Sequence, residues 1–421
     1  MSRLGATAVA CLVAAAPLLA PAPAVAAPPA GACRATDPPQ GVISELPWAQ
    51  KLLDLKRTWP HSTGAGVTVA VVDSGVDADH PQLRGKVLPG RDFYLVGGLP
   101  GNFDCGSHGT AVASIIAAKA AEGVGFRGVA PNARILPVRV TDRELSDGGN
   151  PVPINPDAVA TGIRYAADHG AKVINLSLSG YGDYPVIRNA VRYAQSKDAL
   201  LVAAVGNRAD MGAVPSFPAS YENVLGVGSI DIEGGRVDSS QTGPYVDLVA
   251  PGKDVVGASR VRGHGYWTGT SFAAPFVAAT AALVRSAWPE LTAAQVADRL
   301  LATADPARGG TGSLEYGAGI VDPYRAVTED LSDRDPVVLP AISPAPPDQD
   351  ALADAAWWSR MSVSARITTG LTALAILVAV VLAIALPRGH RRRWAPARTA
   401  PLPATRTADE TPDQVYLFPA R

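Results

Sequence analysis

Val69-Ala-Val-Val-Asp-Ser-Gly-Val-Asp77 begins as an unbroken apolar run and ends in a carboxylate followed by a glycine turn. An apolar run with no polar alternation, bounded by a turn, reads as a strand covered on both faces. Comparable runs recur along the chain: Val67–Val72 around this one, then Ile135–Val140, Val173–Leu178, Leu200–Val205, Val224–Val227 and Val246–Val249. Helical patterns separate several of them. The clearest opens at Asn155-Pro156-Asp157, with a cap, a proline at the first helical position and an acid in the first turn. It runs through Ala160, Ile163 and Ala166 and stops at Gly170. Buried strands alternating with helices predict an α/β domain with a mostly parallel sheet covered on both faces. Such sheets present their chemistry at the carboxyl ends of the strands, where Asp73 falls. Aspartates at strand-to-glycine turns are common for structural reasons, so Asp73 alone decides nothing. Asp77 and Asp79 compete for its role, but neither ends a buried strand.

Two further segments follow the same logic. In Asp104-Cys-Gly-Ser-His-Gly-Thr-Ala-Val-Ala-Ser114 a histidine between glycine turns opens an apolar helix over Thr110–Ala118. None of His61, His80, His169, His264 and His390 has a comparable setting. In Gly269-Thr-Ser-Phe-Ala-Ala-Pro275 a serine stands in the first turn of a long apolar helix that continues over Phe276–Ala287. The N–H groups of a first turn lack intrahelical partners, and the helix dipole favours negative charge there. That suits a nucleophile that must also hold an oxyanion. A plain serine N-cap is the structural alternative.

Asp73, His108 and Ser271 stand in the order known for subtilisin, each at a strand or helix end. The three segments resemble the signature motifs of the subtilase family, and the resemblance covers residues 47–327. It implies a subtilisin-like three-layer α/β domain and an endopeptidase with these residues as its triad. It further implies that Leu201-Val-Ala-Ala-Val-Gly-Asn207 brings Asn207 to an oxyanion hole shared with the Ser271 N–H. Ser177-Leu178-Ser179-Gly180 matches the family's substrate-pairing strand, which would take an extended peptide by β-augmentation. Ala203–Gly206 would wall the S1 pocket.

Both ends of the chain carry membrane signals. Residues 1–27 begin with Arg3, pass through apolar Ala8–Ala20 and reach Ala24-Val25-Ala26, which reads as a cleaved signal peptide. Cys11 lies inside it, with too little apolar sequence before it for a lipobox. Ile367–Leu386 carries no charge and, at about 1.5 Å per residue, matches a bilayer core of about 30 Å. Arg388, Arg391, Arg392 and Arg393 follow at once and belong on the cytoplasmic side. The expected layout is a signal peptide (1–27), an N-terminal extension (28–50), a catalytic domain (51–328) and a Pro-rich extended linker (329–366). A transmembrane helix (367–387) and a cytoplasmic tail (388–421) complete it.

Among 421 residues, 47% are hydrophobic and 41 are glycine, and the net charge is -1. That balance offers no basic footprint for nucleic acid. Cys33 and Cys105 remain after processing, and outside the cytoplasm an even pair reads as a disulfide, with a metal site as the weaker alternative. The extension is too short and Pro-rich for a folded prodomain, so it is expected to wrap the domain, pinned by Cys33–Cys105. Residues 144–157 read as a surface loop that stands near the substrate cleft or away from it.

The whole layout resembles the mycosins, membrane-anchored subtilases associated with type VII secretion. Relatives of that type often carry a second disulfide, for which this chain has no cysteines left. The resemblance implies an extended polypeptide substrate, a possible place in a type VII membrane complex, and no cofactor. It argues against a calcium requirement, and no Asp-rich metal loop speaks for one. Rival functions are a structural stabiliser of the secretion complex, with proteolysis secondary, and a general degradative surface protease.

Overall fold

Nine α-helices, one short 3-10 helix (Ala209–Met211) and nine strands are formed among the described residues, in the chain order α1 (Trp48–Leu52), α2 (Leu55–Thr58), β1 (Thr68–Asp73), β2 (Arg91–Asp92), α3 (His108–Ala117) and β3 (Arg134–Arg139). Then come α4 (Pro156–Asp168), β4 (Val173–Leu176), α5 (Pro185–Ser196), β5 (Leu200–Ala204), β6 (Val224–Ile230), β7 (Leu248–Pro251), β8 (Val255–Ala258) and β9 (His264–Trp267). The chain continues with α6 (Thr270–Ala287), α7 (Ala293–Ala302), α8 (Pro323–Thr328) and α9 (Gln349–Arg391). This computed structural model describes residues 30–33, 35–95, 98–142, 153–212, 214–310, 312–331, 349–391 and 393. The signal peptide, most of the 144–157 loop, part of the Pro-rich linker and nearly all of the cytoplasmic tail lie outside the described residues.

The main sheet has the order β2-β3-β1-β4-β5-β6-β7, and every neighbouring pair is parallel. Side chains alternate between its faces with period two. Val69 and Val71 of β1, with Val202 and Ala204 of β5, pack into one core together with residues of α3 and α6. Ala70 and Val72, with Leu201 and Ala203, pack into the other with residues of α4 and α5. Helices therefore cover both faces, giving the three layers that continuous apolar strands require. The expected caps also form. The Asn155 side chain accepts from the Asp157 N–H, and Thr292 and Gln295 make a reciprocal capping box at α7.

Some boundaries differ from the sequence reading for local reasons. The expected strand Val246–Val249 starts at Leu248, because Val246 closes a turn through its N–H to the Gly243 carbonyl. The helix expected at Thr110 starts at His108 itself. Val173–Leu178 ends as a strand at Leu176, beyond which Ser177 turns its hydroxyl toward α6. β2 and the antiparallel β8–β9 hairpin carry no long apolar run and were not anticipated.

The extension binds the domain through its backbone. The Asp37 N–H donates to the Cys105 carbonyl at 3.0 Å and the Gln40 N–H to the Arg262 carbonyl at 3.1 Å. The His264 N–H donates to the Gly41 carbonyl at 2.9 Å, and the Ile43 N–H to His264 Nδ1 at 3.1 Å. Cys33 and Cys105 are joined, with Cα atoms 5.6 Å apart.

The chain divides into two compact units, to Pro344 and from Ala345. In the second, α9 begins at Gln349, so the end of the stretch expected as extended linker is helical instead. Ala351, Ala353, Ala355 and Ala356 explain this, since alanine has the highest helix propensity. Thr368–Arg391 is long and apolar enough to cross a membrane, and Leu374, Ile376 and Leu377 are exposed on it.

Candidate active site

β1 ends at Asp73 and α3 begins at His108, and the two side chains meet: His108 Nδ1 lies 2.7 Å from Asp73 Oδ1. The same oxygen accepts the Ser74 N–H at 2.7 Å. Both groups are buried, with 3% exposure for Asp73 and 9% for His108. Such closeness needs a residue without a side chain at position 109. A Cβ on Gly109 would stand 2.1 Å from the Gly75 carbonyl and 3.2 Å from Asp73 Cβ. With Nδ1 facing the carboxylate, that nitrogen carries the proton, and the ring's tautomer and orientation are fixed.

Asp104 holds these two elements together. One carboxylate oxygen accepts the Thr110 N–H at 2.9 Å and the Thr110 hydroxyl at 2.6 Å; the other accepts the Ser74 hydroxyl and the Gly106 N–H, both at 3.1 Å. The Ser74 hydroxyl in turn accepts the Gly109 N–H at 3.0 Å. Burial pushes the Asp104 carboxyl up to about 6; the Thr110 bonds oppose the rise and the Asp73 charge adds to it. From the other side, Arg139 is fully buried at the register position opposite Asp73. Its Nε–H donates to the Ser74 carbonyl at 3.0 Å, and its Nη1 pairs with buried Asp92 at 2.9 Å. Neither Asp104 nor Arg139 was singled out in the sequence for a supporting role. A charged residue within or beside an apolar run was the available signal.

Ser271 stands in the first turn of α6 and is 3% exposed. The ring of Phe272, its neighbour, packs on the His108 ring with centroids 5.0 Å apart, so the starts of α3 and α6 adjoin. Pro275 lies four residues after Ser271 and has no N–H to donate to the Ser271 carbonyl. The Ser177 hydroxyl fills that place at 2.6 Å and itself accepts from Asn175 Nδ2 at 2.8 Å. Ser177 thus ties the exit of β4 to the serine's own peptide unit.

Asn207 closes the constellation. No local side chain caps α6. Instead Asn207 Oδ1 accepts the Thr270 N–H at 2.8 Å and the Thr270 hydroxyl at 3.1 Å, while that hydroxyl accepts the Gly206 N–H at 3.1 Å. Committing Oδ1 as acceptor makes Nδ2 the free donor. Nδ2 lies 3.1 Å from where a Cβ on Gly269 would stand, two residues before Ser271 in sequence.

Of the expected substrate strand, Ser177 bonds to the Ser271 carbonyl and Ser179 Oγ lies 3.1 Å from where a Cβ on Gly206 would stand, while Leu178 packs against the core. Gly180 is already paired: its N–H and its carbonyl both bond to Phe217, at 2.8 and 2.7 Å. Gly206, next to Asn207, accepts the Gln241 N–H at 3.0 Å.

Similarity to known proteins agrees with this geometry. Residues 64–319 match the model of the subtilase family. A thermophilic serine proteinase of Bacillus sp. (strain AK1) is 41% identical over 64% of this chain, which spans 64% of that protein's length, just short of two thirds. Mycosin-4 of Mycobacterium tuberculosis (strain ATCC 25618 / H37Rv) is 36% identical, covering 72% of this chain and 76% of its own length. A solved structure of the serine protease MycP1, described as an essential component of the type VII (ESX-1) secretion system, superposes with a TM-score of 0.59. It is 35% identical and covers 70% of this chain and 91% of that one. The chain belongs to the subtilase family and is a subtilisin-like serine protease of the mycosin type.

Proposed function

We propose that this chain is a membrane-anchored, extracytoplasmic endopeptidase that processes exported proteins at a type VII secretion system, with Asp73, His108 and Ser271 as its triad. The observation that carries the catalytic part is the 2.7 Å contact between His108 Nδ1 and Asp73 Oδ1, beside a serine in the first turn of α6. Ser271 Oγ attacks the peptide carbonyl as His108 Nε2 takes its proton. The oxyanion is held by the Ser271 N–H and Asn207 Nδ2. His108 then protonates the leaving amine, and a water activated by the same imidazole hydrolyses the acyl-enzyme. Asp73 orients the ring and stabilises its charged form throughout. The extended substrate lies along Ser177–Ser179.

Anchoring rests on the apolar span of α9 and the arginines that follow it. Under the positive-inside rule, Arg388, Arg391 and Arg393 keep the tail cytoplasmic and the catalytic domain outside. The type VII role rests on the likeness to the mycosins. The test is cleavage of exported proteins in a strain carrying the Ser271→Ala chain: substrates should accumulate uncut while the protein itself persists. A second reading, stabilisation of the secretion complex, is favoured by the description of MycP1 as an essential component of its system. It predicts that secretion survives Ser271→Ala and fails only when the chain is deleted.

A further inference from the structure

We infer that Gln241 sets the substrate preference by closing the S1 slot, so that the residue before the scissile bond must be small: glycine, alanine or serine. The inference rests on the proposed reading of Ser271 as the nucleophile and of Ser177–Ser179 and Ala203–Gly206 as the walls of the S1 slot. The gap between those segments is not empty. A Cβ on Gly206 would stand 2.1 Å from Gln241 Oε1 and 3.1 Å from Ser179 Oγ. The glutamine carboxamide and the serine hydroxyl therefore meet over Gly206, whose φ of +100° and missing side chain make room for them.

Gln241 is built into this position. Its side chain is completely buried, its backbone N–H donates to the Gly206 carbonyl at 3.0 Å, and its Oε1 accepts from the Tyr181 hydroxyl at 3.4 Å. Its Nε2 is buried with no hydrogen-bond partner among the described residues. A buried donor left unpaired is costly. The completely buried carboxamide has no room to swing aside, so it stands as a fixed wall. A long or aromatic P1 side chain would have to expel the buried carboxamide; a methyl or hydroxymethyl group would not.

The test uses the full-length protein in detergent and peptides that differ only at P1. Wild type should cleave Gly, Ala and Ser peptides with kcat/KM roughly 10–200-fold above Leu, Phe and Lys, the range that pocket size alone confers. Gln241→Ala should raise the Phe-to-Ala ratio at least tenfold. Gln241→Met, of similar length and volume, should keep Phe excluded. A wild-type preference for large P1 residues, or an unchanged ratio in Gln241→Ala, overturns the inference. The wild-type profile decides by itself if the variants do not fold. Binding of the same peptides to Ser271→Ala separates this inference from the catalytic reading. Tighter binding of Ala than Phe peptides supports the slot even if no cleavage is seen, and the reverse order refutes it.

Discussion

Asn207 is expected to do two jobs with two different atoms, and two substitutions separate them. Its Oδ1 accepts the Thr270 N–H at 2.8 Å and so caps a helix that has no local side-chain cap. Its Nδ2 is the proposed oxyanion donor. Asn207→Asp keeps an acceptor at the cap and replaces the donor by a charged oxygen. Losing one oxyanion donor costs about 2.7–4 kcal/mol in the transition state, a fall of roughly 10²–10³ in kcat. The new charge repels the oxyanion, so this is a lower bound for Asp. Asn207→Ala removes both atoms. It should show a similar loss of kcat and, in addition, a stability loss of about 0.5–2 kcal/mol from the missing cap. Steady-state cleavage of one peptide and thermal unfolding of the three proteins give the comparison. KM should change little, because the bond is made only as charge develops. Near-wild-type kcat in Asn207→Asp, or equal stability losses in both variants, would refute the division of labour.

Three further outcomes follow from the surroundings of the site. Burial, with the nearby His80, lowers His264 to about 4, and its Nδ1 accepts the Ile43 N–H while its Nε2–H faces Gln82 Oε1 at 2.6 Å. The unfolded chain therefore binds more protons than the folded one between about pH 4 and 6.5, and stability falls as pH drops through that window, by on the order of 3 kcal/mol at most. Thermal melts should show a steeper acid loss for wild type than for His264→Gln, with the opposing contributions of Asp104 and Asp247 common to both. Arg139→Met leaves Asp92 buried without its cation and should cost about 3–5 kcal/mol by denaturant unfolding, with partial recovery in Arg139→Met/Asp92→Asn. Cys33→Ser opens a bridge between residues 72 apart in sequence, worth up to about 4 kcal/mol in the chain-entropy account. Limited proteolysis should then cut the released extension before the domain.

What could be read from the sequence was what short-range patterns encode. Continuous apolar runs announced β1, β3, β4, β5, β6 and β7 because strands buried on both faces admit no polar alternation. The residues around Asp73, His108 and Ser271 were legible because each sits at a turn with its own glycine signature. Contacts made across the chain were not. Asn207 was expected as a donor, but its capping of α6 joins residues far apart in sequence and leaves no local mark. Ser177 was expected only to meet substrate, and its bond to the Ser271 carbonyl depends on Pro275 lying one helical turn further on. β2 is only two residues long, and polar Arg91 begins it. In the β8–β9 hairpin, β9 is buried only at His264, whose N–H bonds to the Gly41 carbonyl of the extension, a long-range contact that no local pattern announces. The helical start of α9 lay hidden in a stretch whose prolines drew the reading toward an extended spacer.

The central claim is that Asp73 and His108 activate Ser271, and covalent labelling with a fluorophosphonate tests it most directly. The reagent reacts with an activated serine and leaves an adduct that peptide mass spectrometry can place. Wild type should carry one adduct, on Ser271, with the labelling rate falling by orders of magnitude in His108→Ala and Asp73→Asn. An adduct on another serine, or unchanged labelling of Ser271 without His108, would contradict the account.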